Sequence, residues 1–196
     1  MHTLPAIGAI LALTISASAG TLPDPQMVRA CLSTDLGDKS FTTLPYASAG
    51  SSRIFATIGI RLEWTEDRRY CNGDSGTIRL TVRQHAPSNT PASWMAYALP
   101  YDRTHIIVFY DRVADSAGLW VNDMLAHVFA HEITHVLQGI SRHSTSGIMK
   151  PTWDRADLAQ MTQKTLQFTP YDIELIHDGI LDRARKLAAA CHGGVK

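Results

Sequence analysis

Apolar and polar positions along the chain follow two periods, and the switches between them predict the elements. From Leu119 onward, Trp120, Met124, Leu125, Val128, Phe129, Ile133, Val136 and Leu137 recur at three- and four-residue spacings. That is the stripe of an amphipathic or buried helix. Asn122 and Asp123 are weak helix formers, so the start lies between Gly118 and Asn122. Gly139 is the stop. Ala47 to Ile58 reads as an earlier helix with Ile54, Phe55 and Ile58 on one side and Gly59 as its cap. Ile60 to Trp64 and Thr77 to Val82 alternate apolar with polar, as half-buried strands do. Met27 to Leu32 is a further candidate strand, and His105 to Tyr110 is a strongly β-prone run. Residues 85–93, with two Pro and two Ser, form a loop. Thr169-Pro170-Tyr171-Asp172 offers an N-cap, a Pro at N1 and an acid at N3. Ile173, Ile176, Ile180 and Leu181 then supply the apolar stripe of a last helix.

Helix and strand segments that alternate without repeats predict one α+β domain over 20–196. Residues 1–19 are set apart from it. Ile7 to Ile15 is apolar but too short to span a bilayer, and Ala17-Ser18-Ala19 is an A-x-A cleavage pattern before Gly20. The leading segment carries His2 and no Lys or Arg. The expectation is a signal peptide over 1–19, a secreted or periplasmic protein, and no membrane span in the mature chain. Lys plus Arg and Asp plus Glu number 18 each. With no net charge and no basic run, nucleic acid and anionic membrane surfaces are not expected partners. Export permits disulfides. Cys31, Cys71 and Cys191 allow three single pairings, and Cys31–Cys71 is preferred because both flank the same N-terminal unit.

The chemistry sits in His131-Glu132-Ile133-Thr134-His135. On a helix, residues four apart lie on one face, so two imidazoles can hold one metal ion. Glu132, beside the first of them, can reach a water at that metal and handle its proton. Two His at this spacing can also be merely solvated, and the chain holds nine His. The apolar helix around them favours the metal. His127 lies one turn earlier on nearly the same face, lacks a following Glu, and is expected not to be a ligand.

The run from His131 to Pro151 resembles the metzincin metalloproteases, the matrixin-like ones in particular. Their pattern is H-E-x-x-H-x-x-G-x-x-H followed by a Met in a tight turn beneath the metal. The resemblance implies His131, His135 and His143 as Zn2+ ligands, Glu132 as general base, Gly139 as the helix-ending glycine and Met149 as the turn methionine. Gly139 falls one residue later than in that pattern and His143 two later, so the loop between helix and third ligand must bulge. His143-Ser144 and Ile148-Met149-x-Pro151 match matrixin sequences. Asp154 and Glu174 are the rivals for the third position. The resemblance also implies a twisted sheet with two main helices. It implies a peptide or protein substrate lying extended along an edge strand within 100–110. The expected activity is peptide-bond hydrolysis by a zinc-activated water with Glu132 as general base. The alternative is a catalytically inactive zinc-binding interaction module, which has no use for a general base.

Overall fold

The structure is a computed structural model that describes residues 26–67, 69, 71, 76–99 and 104–193, with side chains through 189. The expected signal peptide, its cleavage site and the Cys191 side chain lie outside the described residues. The described strands are β1 (Gln26–Thr34), β2 (Ile60–Thr65), β3 (Ile78–Arg83), β4 (Ala96–Ala98) and β5 (His105–Phe109). They form one sheet in the order β2-β1-β3-β5-β4. All neighbours pair parallel except β4, which runs antiparallel to β5 at the edge. The α+β expectation is therefore corrected to a mixed α/β sheet. Parallel neighbours need a long crossover, which helix α1 (Ser40–Ala56) supplies between β1 and β2.

Helix α3 (Val121–Gln138) is the centre of the molecule. Every residue from Met124 to Gln138 is buried. Helix α1 packs against it where Gly50 meets Ala126, and a Cβ at Gly50 would lie 2.6 Å from the Ala126 Cβ. On the other side, α5 (Pro170–Gly193) presses the backbone of Gly179 against the Leu137 carbonyl. Phe55, Leu80, Ile106, Phe129, Ile133 and Leu137 belong to one continuous apolar cluster between sheet and helices. Gly139 takes φ 68 and ends α3, as its position in the sequence predicts.

Several elements differ from the sequence reading. Helix α1 begins at Ser40, not Ala47, and contains Pro45. Pro45 is the sixth residue of the helix, where it removes one i→i−4 hydrogen bond and works against the helix. Burial of Leu44 and Ala47 carries the helix back across it. Helices α2 (Tyr110–Ala117) and α4 (Arg155–Gln163) and strand β4 were not expected. The run at 105–109 is not an edge strand either. It lies between β3 and β4, and its Ile106, Val108 and Phe109 are buried. Residues 100–103 lie outside the described part, so the expectation of an edge within 100–110 gives way to β4. Leu181 is 46% exposed, so the stripe of α5 stops at Ile180. Cys31 and Cys71 form a disulfide, the preferred pairing, with 5.4 Å between their Cα atoms. No helix among the described residues is long and apolar enough to cross a membrane.

Candidate metal centre

His131 and His135 stand one turn apart on the buried α3, with ring centroids 4.7 Å apart. The chain leaves α3 through the left-handed Gly139, crosses the irregular segment Ile140–His143, and brings the His143 ring to 5.3 Å and 5.0 Å from the other two. One ring nitrogen from each of the three lies within 4.8 Å of the others, and no other described His, Cys, Asp or Glu joins the group. The bulge required by the long spacing is thus accommodated, and His143 arrives at the exposed mouth of the site.

The proton positions follow from the partners. His131 Nδ1 is 2.8 Å from the Ile148 carbonyl and His135 Nδ1 is 3.1 Å from the Ile140 carbonyl. A carbonyl only accepts, so both Nδ1 atoms carry the proton and donate. Both Nε2 atoms are then bare lone pairs, and they face each other at 3.0 Å. Two acceptors at that distance repel unless a cation lies between them. Tetrahedral zinc with Zn–N bonds of about 2.0–2.1 Å would hold two such nitrogens roughly 3.3 Å apart. The donor set, its tautomers and its spacing therefore fit a zinc ion. Burial drives the His131 imidazole down to about 3 and His135 down to about 4, so both rings are neutral at ordinary pH, as ligands must be.

Glu132 is buried beside this group. Burial pushes its carboxyl up to about 8, while the Ala98 N–H donated to it acts the other way. That N–H belongs to the edge strand. Leu99 and Met95 exchange backbone hydrogen bonds with β5, at 2.9 Å to His105 and 2.8 Å from Phe109, and Tyr97 is opposite Ile107. Alternation then turns the backbone groups of Ala96 and Ala98 away from β5 and toward the histidines. A cleft of about 500 Å³ results, with β4 on one side, His131, Glu132 and His135 on its floor, and His143, Pro151 and Trp153 opposite.

The floor is held from below. Ser144 N–H donates to the Met149 carbonyl at 2.7 Å and Ile148 N–H to the Gln167 carbonyl at 3.1 Å. Gly147, at φ 74, takes a conformation that L side chains rarely adopt and packs directly on the Gln167 backbone. Met149 is fully buried. Trp153 sets its edge against His131 and His127 and donates to the Gly147 carbonyl at 3.3 Å.

His127 is not part of the group. Its Nδ1 donates to the Asp123 carbonyl at 2.7 Å, and its Nε2 accepts the Leu166 N–H at 3.1 Å. The two rivals for the third position are elsewhere. Asp154 caps α4 and pairs with Lys150, and Glu174 is exposed on α5. Sequence reasoning missed β4, whose Ala96-Tyr97-Ala98 is too short to show a period. It also read Asp172 only as a helix-start acid. Asp172 is buried, and although burial alone would raise it, hydrogen bonds from Thr169, Ser144 and Arg142 hold its carboxyl below the ordinary range.

No protein-family model matches the chain, and no curated protein matches it in sequence. Solved structures do resemble its fold. The archaemetzincin of Methanopyrus kandleri superposes with a TM-score of 0.51 at 13% identity, over 82% of this chain and 99% of that one. A zinc-dependent peptidase from Methanocorpusculum labreanum superposes with a TM-score of 0.52 at 13% identity, over 76% and 99%. At that identity the likeness is one of fold: this chain is built on the same framework as these zinc peptidases.

Proposed function

We propose that the chain is an exported zinc metallopeptidase of the metzincin type. His131, His135 and His143 hold the ion, and Met149 serves as the methionine of the turn beneath it. One observation carries the reading. Two bare Nε2 atoms face each other beside a buried Glu132, at the foot of a strand whose outer edge no other described strand pairs with. Bound zinc would lower the pKa of a water and polarise the scissile carbonyl.

The chain's own residues supply the rest. The outward-facing backbone groups of Ala96 and the Ala98 carbonyl pair with an extended peptide as a further strand would. Trp94 and Tyr97 on one side and Trp153 on the other exclude water around it. Glu132, its ionised form favoured by the cation that the histidines would hold, takes one proton from the attacking water at a carboxylate oxygen and returns it to the leaving nitrogen. The Ala98 N–H holds that carboxylate beside the strand on which the substrate lies. The inactive zinc module fits less well, because the cleft is open beside the histidines and contains a carboxylate that no ligand set requires.

Export rests on the A-x-A pattern ahead of Gly20 and on the disulfide, a bond that persists in oxidising compartments. The deciding experiment is metal analysis of the purified mature chain together with a peptide hydrolysis assay. One zinc per chain and hydrolysis abolished by a chelator and restored by zinc are expected. A metal-free chain after zinc reconstitution, or activity indifferent to chelation, would rule the proposal out.

A further inference from the structure

His143 reaches the metal group from a loop without regular structure, and its two neighbours in sequence are both held by one carboxylate. Arg142 Nη1 donates to Asp172 Oδ1 at 2.8 Å, and Ser144 Oγ lies 2.7 Å and 2.9 Å from the two Asp172 oxygens. Arg142 also reaches Ser144 Oγ at 3.2 Å, closing a triangle. Its guanidinium stacks 4.6 Å from the centre of the Tyr171 ring. Asp172 itself is fixed: Thr169 caps it through Oγ1 at 2.6 Å and N–H at 3.1 Å, and Gln138 Nε2 donates to its backbone carbonyl at 3.3 Å. Three segments therefore meet at one residue, Asp172: the end of α3 at its backbone carbonyl, the loop of the third histidine at its carboxylate, and the start of α5, which carries it.

We infer that Asp172 and Arg142 are positioning residues for His143, clamping the long loop so that its imidazole is placed before any metal arrives. The inference rests on the zinc reading above. A loop of this kind loses backbone freedom when a ligand on it is fixed. With the clamp made, that ordering is complete in the metal-free chain. Without it, zinc binding itself must order the loop, and affinity falls. Buried ion pairs contribute little net stability but impose geometry. The Arg142 side chain is 33% exposed, and its removal takes the counter-charge from the fully buried Asp172 carboxylate. Ser144 and Thr169 still satisfy the carboxylate it leaves behind.

The test is zinc affinity by competition with a chromophoric chelator, in the full mature chain, for wild type, Arg142→Ala, Arg142→Lys and Asp172→Asn. The visible spectrum of the Co2+-substituted forms and the melting temperature of each metal-free form are recorded alongside. Removal of partners that orient metal ligands typically weakens binding about ten- to a hundredfold. Arg142→Ala should fall in that range, with an altered Co2+ spectrum and a metal-free melting temperature lowered by the stranded Asp172 charge, a loss that Ser144 and Thr169 limit. Arg142→Lys should recover only part, since an ammonium cannot span carboxylate and hydroxyl as the guanidinium fork does. Zinc affinity within twofold of wild type in Arg142→Ala, in a wild type that binds one zinc, overturns the clamp alone. A wild type that binds no zinc overturns the zinc reading and the clamp with it.

Discussion

At the scale of single residues, the proposed function gives the three histidines and Glu132 separate tasks, metal binding and proton transfer. Glu132 is not a member of the histidine group, so Glu132→Ala should keep zinc while hydrolysis falls by about a hundredfold or more. Near-normal turnover in that variant would remove the general base from the mechanism. His143→Ala should weaken zinc binding more than any change outside the group, because three ligands become two. Asp154→Ala and Glu174→Ala should leave affinity unchanged, since neither joins the group of ring nitrogens. A zinc titration of the three variants decides between them. His127 gives a pH effect. Its Nε2 accepts the Leu166 N–H, so protonation sets two donors against each other, and burial lowers its pKa in the folded chain. The unfolded chain then binds more protons below about pH 6.5, and metal-free stability falls as pH drops through that range. His131 and His135, lowered in the same sense, add to the slope. His127→Gln should flatten part of it in denaturant melts run from pH 7.5 to 5. An unchanged slope would mean that His127 contributes nothing.

At the scale of elements, the geometry of the site depends on how closely α3 is approached. Gly179 of α5 lies against the Leu137 carbonyl, two residues after His135, and a Cβ there would overlap it. Gly179→Ala should therefore destabilise the fold by about 1–3 kcal/mol, as overpacking does. Gly37 provides the contrast. It has φ 59 with open space around its Cβ direction, so Gly37→Ala carries only a backbone cost of roughly 1–2 kcal/mol. The two should part in zinc affinity as well: Gly179→Ala shifts the end of the ligand helix, whereas Gly37→Ala touches neither helix nor loop. Equal zinc affinities in both variants would contradict the close-contact account.

At the scale of the whole molecule, one covalent link ties β1 to the segment that follows β2. Cys31 of β1 and Cys71 are 40 positions apart, so their bond restricts a long loop in the unfolded chain. Chain entropy alone assigns it about 4 kcal/mol. Cys71→Ser should lower unfolding free energy by an amount of that order in urea titrations, with zinc affinity retained if the folded state is still populated. A loss under about 1 kcal/mol would show that the unfolded loop is already compact. The export proposal is checked on the same preparation, by N-terminal sequencing of chain recovered outside the cytoplasm. Gly20 or a close neighbour is the expected first residue, and an intact Met1 would refute it.

The ligand helix was legible in the sequence because its information is local. Helical period puts His131 and His135 on one face whatever the rest of the chain does, and Gly139 ends the helix by its own backbone freedom. Alternation likewise fixed β2 and β3, and the Thr169-Pro170 cap fixed the start of α5. The remaining features depend on partners distant in sequence. Strand β4 is three residues long and exists only because β5 lies beside it, so no period could reveal it. Helix α1 extends across Pro45 because Leu44 finds a place in the core. The spacing of His143 gave no guarantee that the ring would reach the other two. Arg142 and Ser144 meet Asp172 across 30 and 28 positions, and that contact could arise only once α5 had docked on α3. A helix carries its own hydrogen bonds and so its own pattern, whereas an edge strand and a loop take theirs from whatever tertiary packing sets beside them.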